Sequence, residues 1–151
     1  MILALFLTAV WYVLSGRLDL LHFGTGVVVA VVITATFHGV EDHSRFHPFQ
    51  FLLFLPWLAG QIIASNLRVA RAVLSPRLPI APTFLSQEPG VYGPRGLATL
   101  GASITLTPGT LTVDVTQDEI LVHALDTTSA DQIERGVMAG RVAPVFEEPA
   151  S

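Results

Sequence analysis

Cysteine is absent from the chain, which excludes disulfides, thiolate metal sites and cysteine nucleophiles. Lysine is absent too: all eight basic residues are arginine. Charge of either sign is scarce, at 13% of residues, against about 25% in ordinary soluble domains. The deficit is concentrated in residues 1–77, which hold five Arg and three acids, whereas residues 78–151 hold three Arg against nine acids, about −6. Basic character therefore stops where the acidic part begins. No basic face remains to neutralise phosphates, so nucleic acid is not an expected partner.

What fills the front half is apolar sequence. Three stretches, Met1–Gly16, Leu20–Val40 and Phe46–Leu67, contain no acid or base in their middles. Crossing a bilayer takes about 20 apolar residues, with a range of roughly 17–25. Leu20–Val40 qualifies through its run Val27 to Ile33, and Phe46–Leu67 qualifies with Pro56 expected to kink it. The first stretch is short and crosses only if tilted or mismatched, with Trp11-Tyr12 at the headgroup level. A cleaved signal peptide would place basic residues before its apolar run. Here Arg17 follows it, so a retained helix is expected.

The sequence thus predicts about three transmembrane helices within residues 1–75 (1–16, 20–40 and 48–67, with an interfacial extension to 75). A small α+β domain over 76–143 and a flexible tail over 144–151 follow. Arginines 17, 68, 71, 77 and 95 fall on one side of three spans, which the positive-inside rule makes cytoplasmic. The loop Gly39–Phe49 then lies outside. Small residues repeat every four positions at Gly26, Ala30 and Thr34, and again at Gly60 and Ala64. Such ridges let helix backbones approach closely, so these five are candidate contacts with lipid or with other helices, within the chain or on a partner subunit. Arg68 and Arg71, on a helix expected to turn along the membrane surface until Ser75-Pro76, are candidates for lipid phosphate or an acidic partner.

Beyond Leu78 the pattern changes. Leu78–Leu85 reads as an extended edge segment because Pro79 and Pro82 exclude it from a sheet centre. In residues 96–106, Leu97, Leu100 and Ile104 suit an interfacial helix, while alternation of Ile104 and Leu106 with Thr105 and Thr107 suits a strand. Both readings stand at this point. Leu111, Val113 and Val115 alternate with Thr112, Asp114 and Thr116 as a half-buried strand, and Ile120–Leu125 is its hairpin partner. Ser129 with Gln132 fits a capping box for a helix whose Ile133, Val137 and Val142 face inward. The expected unit is a ferredoxin-like hairpin-and-helix arrangement.

No residue constellation points to catalysis, and no cofactor is expected. His38, Glu41, Asp42, His43 and His47 offer metal ligands in kind, but polar loop residues of this sort more often face headgroups, so no metal is expected. Thr107-Pro108-Gly109-Thr110 lacks the spaced glycines and the Lys of a phosphate loop and reads as a tight turn. The spans lack the midplane acids, bases or histidines that ion pumps carry.

The block Ser103-Ile104-Thr105-Leu106-Thr107-Pro108-Gly109-Thr110-Leu111-Thr112-Val113-Asp114-Val115, followed by Leu121-Val122-His123-Ala124-Leu125-Asp126, resembles the E subunit of the Mrp-type multisubunit Na⁺/H⁺ antiporters. Trp11, Leu14-Ser15-Gly16, Asn66-x-x-Val69 and Val73 to Leu78 match in the same order. The resemblance implies an accessory, structural component of a cell-membrane complex, multi-pass, with its hydrophilic domain in the cytoplasm. Its partners would be the other antiporter subunits and membrane lipid. It implies no enzyme activity and no catalytic residue; Thr107, Pro108, Gly109, Thr110, Asp114, His123 and Asp126 are carried over as a structural motif only. The alternative is a membrane-anchored cytoplasmic binding or assembly module not tied to an antiporter.

Overall fold

A computed structural model describes residues 2–16, 19–36 and 44–148. The chain falls into two compact units that divide between Glu41 and Asp42. Arg17 and the loop residues His38, Glu41, Asp42 and His43 lie outside the described residues.

The first unit holds α1 (Ile2–Ser15) and α2 (Leu20–Thr36), apolar helices of 14 and 17 residues. Asp19 opens α2, its carboxylate accepting the His22 N–H at 2.7 Å. The two helices pack where Trp11 lies over Gly26. A Cβ on Gly26 would stand 2.3 Å from the indole Cδ1, so only glycine fits. The indole N–H donates to the His22 carbonyl at 3.2 Å.

The second unit runs β1 (Arg45–Phe46), α3 (Pro48–Leu74), β2 (Thr83–Gln87), α4 (Gly93–Leu106), β3 (Thr110–Val115), β4 (Ile120–Ala124), α5 (Thr127–Glu134), α6 (Ala139–Val142), a 3-10 turn (Ala143–Val145) and β5 (Phe146–Glu147). Its main sheet has the order β2-β4-β3, both pairings antiparallel, with α4 crossing from β2 to β3. Proline starts α3 and α4 within their first turns, where its missing N–H costs nothing. Ser75, extended ahead of Pro76, ends α3 as expected.

The core joins Phe54 and Leu58 of α3, Leu100 and Ile104 of α4, Ile120 and Val122 of β4, and Ile133, Val142, Val145 and Phe146 from the C-terminal part. Several expectations change here. By packing, α3 belongs with the C-terminal unit rather than with the first two helices, and it continues through Asn66 to Leu74 with Pro56 inside it. Among the described helices it alone is long and apolar enough to cross a membrane. Residues 93–106 are helix, not strand, and the buried Leu97, Leu100 and Ile104 face the protein core rather than a membrane surface.

The alternation in β3 is reversed. Thr110 and Thr112 pair with the buried Ala124 and Val122, while Leu111 is half exposed beside His123. Val113 is the extra residue of a β-bulge, after which Val115 returns to the inner face opposite Ile120. Val137 lies in the turn after α5, which ends at Glu134; though partly exposed, it lines a small cavity with the buried Ile104, Ile133 and Met138. The tail is not wholly loose: Val145 and Phe146 are buried, and Arg45–Phe46 pairs antiparallel with Phe146–Glu147. His47 N–H donates to the Val145 carbonyl at 2.9 Å, and His47 Nε2 lies 3.2 Å from Glu147 Oε2. Residues 45–47 therefore touch the end of the domain from which a three-span topology would separate them by a bilayer.

Candidate functional site

The Thr107–Thr110 turn gathers five structural elements. Thr107 ends α4 in extended conformation, its N–H donating to the Ile104 carbonyl at 3.1 Å and its hydroxyl to the Ser103 carbonyl at 2.9 Å. Pro108 follows and cannot continue the helix. Gly109 has φ +91°, a conformation that side-chain-bearing residues rarely adopt. Its carbonyl accepts the Leu125 N–H at 2.8 Å, which ties the turn to the end of β4. The Thr110 hydroxyl lies 2.6 Å from the Ile104 carbonyl and 2.7 Å from that of Thr107, closing the loose end of α4 as β3 begins.

Around Gly109 stand Ser129 Oγ, Val69 Cγ2 and Asp126 Oδ2, at 3.4, 3.5 and 3.7 Å from where a Cβ would sit. The turn thus touches α3 through Val69 and the start of α5. Asp126 is the N-cap of α5: its Oδ1 accepts the Ser129 N–H at 2.8 Å and its Oδ2 the Ser129 hydroxyl at 3.1 Å. This corrects the expected capping box, because Ser129 is the third residue inside the helix and not its cap. Asp126, Thr127, Thr128 and Ser129 are all cap-competent types, so residue type alone does not single one out.

Of the expected motif residues, Thr107, Pro108, Gly109, Thr110 and Asp126 meet here; Asp114 and His123 do not. Asp114 sits beside the bulge, exposed, accepting the Val115 N–H at 2.9 Å. His123 lies on the open face of the sheet with its ring 4.9 Å from that of Phe84. On the same face Ser86 donates to Glu119.

The ridge residues separate likewise. Gly26 and Ala30 are buried and Thr34 is half-buried, its hydroxyl donating to the Ala30 carbonyl at 2.7 Å. Gly60 and Ala64 are exposed, with nothing within 4 Å of a Cβ built on Gly60. Arg68 donates to the hydroxyl of the buried Ser65 at 2.9 Å, and Arg71 is exposed.

A cavity of about 20 Å³ beside the turn is lined by Trp57, Gln61, Thr107, Thr110, Ser129 and Gln132, among others. That is room for about one water molecule, not for a hydrated ion or a substrate. No group of three His, Asp or Glu residues with metal-binding spacing occurs among the described residues. Two features lie beyond sequence reasoning: the Trp11 clamp on Gly26 and the β1–β5 pair. Neither has a local signal, since each joins residues distant along the chain.

Residues 4–143 match the profile of a family described as Na⁺/H⁺ ion antiporter subunit. The Na⁺/H⁺ antiporter E subunit of Bacillus subtilis (strain 168) is 29% identical over 144 residues, covering 87% of this chain and 85% of the relative. Its counterpart in Alkalihalophilus pseudofirmus is 26% identical over 146 residues, covering 90% and 89%. Among solved structures, a chain of the membrane-bound sulfane sulfur reductase, an archaeal respiratory membrane complex, superposes with a TM-score of 0.60 at 28% identity. That match covers 83% of this chain and 81% of the other.

Proposed function

Since the family profile spans residues 4–143, this chain belongs to the family of Na⁺/H⁺ antiporter E subunits, and we propose that it supports assembly of its complex rather than forming the ion path. One observation carries this reading: α1 and α2 contain no Asp, Glu, Lys or Arg, and α3 contains no acid. Moving protons or Na⁺ through a membrane calls for ionisable or coordinating groups at depth, because each charge left unpaired in hydrocarbon costs several kcal/mol. His22 stands in the first turn of α2, near its end rather than its middle.

In this reading the chain is multi-pass and its second unit is cytoplasmic. Arg68, Arg71 and Arg77, in and just after α3, support that side under the positive-inside rule. The β2-α4-β3-β4-α5 order with a central β4 fits a ferredoxin-like arrangement short of its last strand. Thr107, Pro108, Gly109, Thr110 and Asp126 act as its structural knot, and Asp114 and His123 belong to the surface of the sheet. Gly26, Ala30 and Thr34 serve helix contact within the chain. Gly60, Ala64, Arg68 and Arg71 are left for lipid or other subunits.

Extraction in mild detergent tests the assignment: the chain should co-purify with several larger hydrophobic polypeptides. Recovery as a lone stable monomer under native expression would overturn it. Reconstituted alone in liposomes, it should give no Na⁺-dependent proton flux.

A further inference from the structure

Along α3 the protein core takes one face only. Phe54, Leu58 and Ser65 are buried at helical spacing. The opposite face leaves Phe49, Leu52, Leu53, Ile63, Leu67 and Leu74 between 53% and 83% exposed. The helix carries no charge before Arg68 and Arg71 near its C-terminal end. Its 27 residues, at 1.5 Å each, make it about 40 Å long, so length alone would let it cross a bilayer.

Its neighbours argue against crossing. At its start, β1 pairs with β5 and His47 bonds to Val145; near its other end, Val69 packs against the Gly109 position. The second unit therefore meets α3 at points from His47 to Val69, with α6 and the 3-10 turn among its neighbours. Were α3 to cross, Arg141, which stands over the Trp57 ring, and Gln132, which shares a small cavity with Gln61, would be carried toward hydrocarbon depth beside the middle of the helix. A charged side chain at that depth is costly.

We propose that α3 lies in the plane of the membrane surface, its outer face sunk among acyl chains and both of its flanks on one side of the bilayer. The charges beside it suit anionic headgroups. Arg68 and Arg71 sit at its end, and Arg141 of α6 stands over the Trp57 ring at 5.3 Å. α3 itself holds no acid. Tryptophan and arginine at this level are a headgroup pairing. The acids Glu88, Asp118 and Glu148 gather instead around a separate hollow with Tyr92 and Gln117. Bulky Leu, Ile and Phe dominate the outer face, and the Gly60–Ala64 pair covers a single turn. A membrane helix partner would call for a longer small-residue seam, so lipid is the occupant.

The cysteine-free sequence makes the test direct. Single variants Arg45→Cys and Asp118→Cys are expressed in the whole complex and treated with a membrane-impermeant maleimide in intact cells and in inverted vesicles. Both should react only in inverted vesicles. Labelling of the first from outside, with the second protected, would overturn the proposal; Gln50→Cys replaces Arg45→Cys if that variant fails to assemble. A photoreactive phenylalanine analogue at Leu52 or Ile63 should cross-link to phospholipid, and cross-linking to a neighbouring polypeptide would equally defeat it. Co-purification of each variant is read separately, so failure of the proposed assembly role and failure of this inference are distinguishable.

Discussion

Replacing Gly109 isolates the contribution of the Thr-Pro-Gly-Thr turn. With φ at +91°, any Cβ brings a backbone penalty of about 1–2 kcal/mol. The surroundings add little for alanine, because its methyl would meet Ser129 Oγ, Val69 Cγ2 and Asp126 Oδ2 at 3.4 to 3.7 Å, ordinary contact distances. Gly109→Ala should therefore cost about 1–2 kcal/mol. Gly109→Val pushes two further methyls among those same groups, and overpacking adds about 1–3 kcal/mol. Gly109→Asn should lie between glycine and alanine, since asparagine tolerates left-handed backbone best among side-chain-bearing residues. With Pro108→Ala added to Gly109→Val, unfolded-chain entropy contributes about another 0.4–1 kcal/mol. The sum is a large share of the roughly 5–15 kcal/mol that holds a domain folded. The assay is thermal stability of the detergent-extracted complex together with the amount of this chain assembled in it. The expected order is Gly, Asn, Ala, Val, then the double variant, with cation preference unchanged per assembled complex. An alanine variant as stable as the parent would refute the backbone argument. Altered selectivity at normal assembly would refute the structural role itself.

Gly26→Leu should loosen the α1–α2 pair by about 1–3 kcal/mol through overpacking, because the Trp11 indole occupies the space. Adding Trp11→Ala should recover part of that loss, and a double-mutant cycle of thermal stabilities with no coupling would count against the clamp. Asp126→Ala removes an N-cap worth about 0.5–2 kcal/mol and strands the buried Ser129 hydroxyl; Asp126→Asn should be milder, and equal Tm losses for the two would refute the capping role. Gly60→Leu should leave assembly and Tm unchanged, as nothing lies within 4 Å of its Cβ; a collapse of assembly would put another helix against that face.

Much of the C-terminal unit is legible from residue types in order. The edge strand after Pro79 and Pro82, the turn at Thr107–Thr110 and the β3–β4 hairpin each carry a local signal, in the form of a missing donor, a Pro-Gly pair or a run of β-branched residues. Which face of β3 points inward is not legible. Threonine packs and hydrogen-bonds against α4, the Thr112 hydroxyl donating to the Gly101 carbonyl at 2.9 Å, and leaves Leu111 outside. The bulge at Val113 then shifts the period, so a strict alternation rule fails from that residue on. The Asp126 cap is obscured for a related reason: neighbouring residues share the same chemistry, and only geometry selects among them.

For α3 the ambiguity is deeper. A surface helix is recognised by a polar face opposite an apolar one. Here the inward face is apolar because it fills a core with Phe54 and Leu58, and the outward face is apolar as well. Such a helix has the hydropathy of a span whether or not it crosses, because composition records that both faces avoid water and not what each face meets. Only contacts between distant residues separate the cases: Arg45 beside Glu147, His47 on Val145 and Val69 against the Gly109 turn. Those contacts bind both flanks of α3 to one folded unit. In the proposed in-plane orientation the charge-free stretch Phe46–Leu67 forms a second apolar surface of the domain, and bilayer is the medium that covers it.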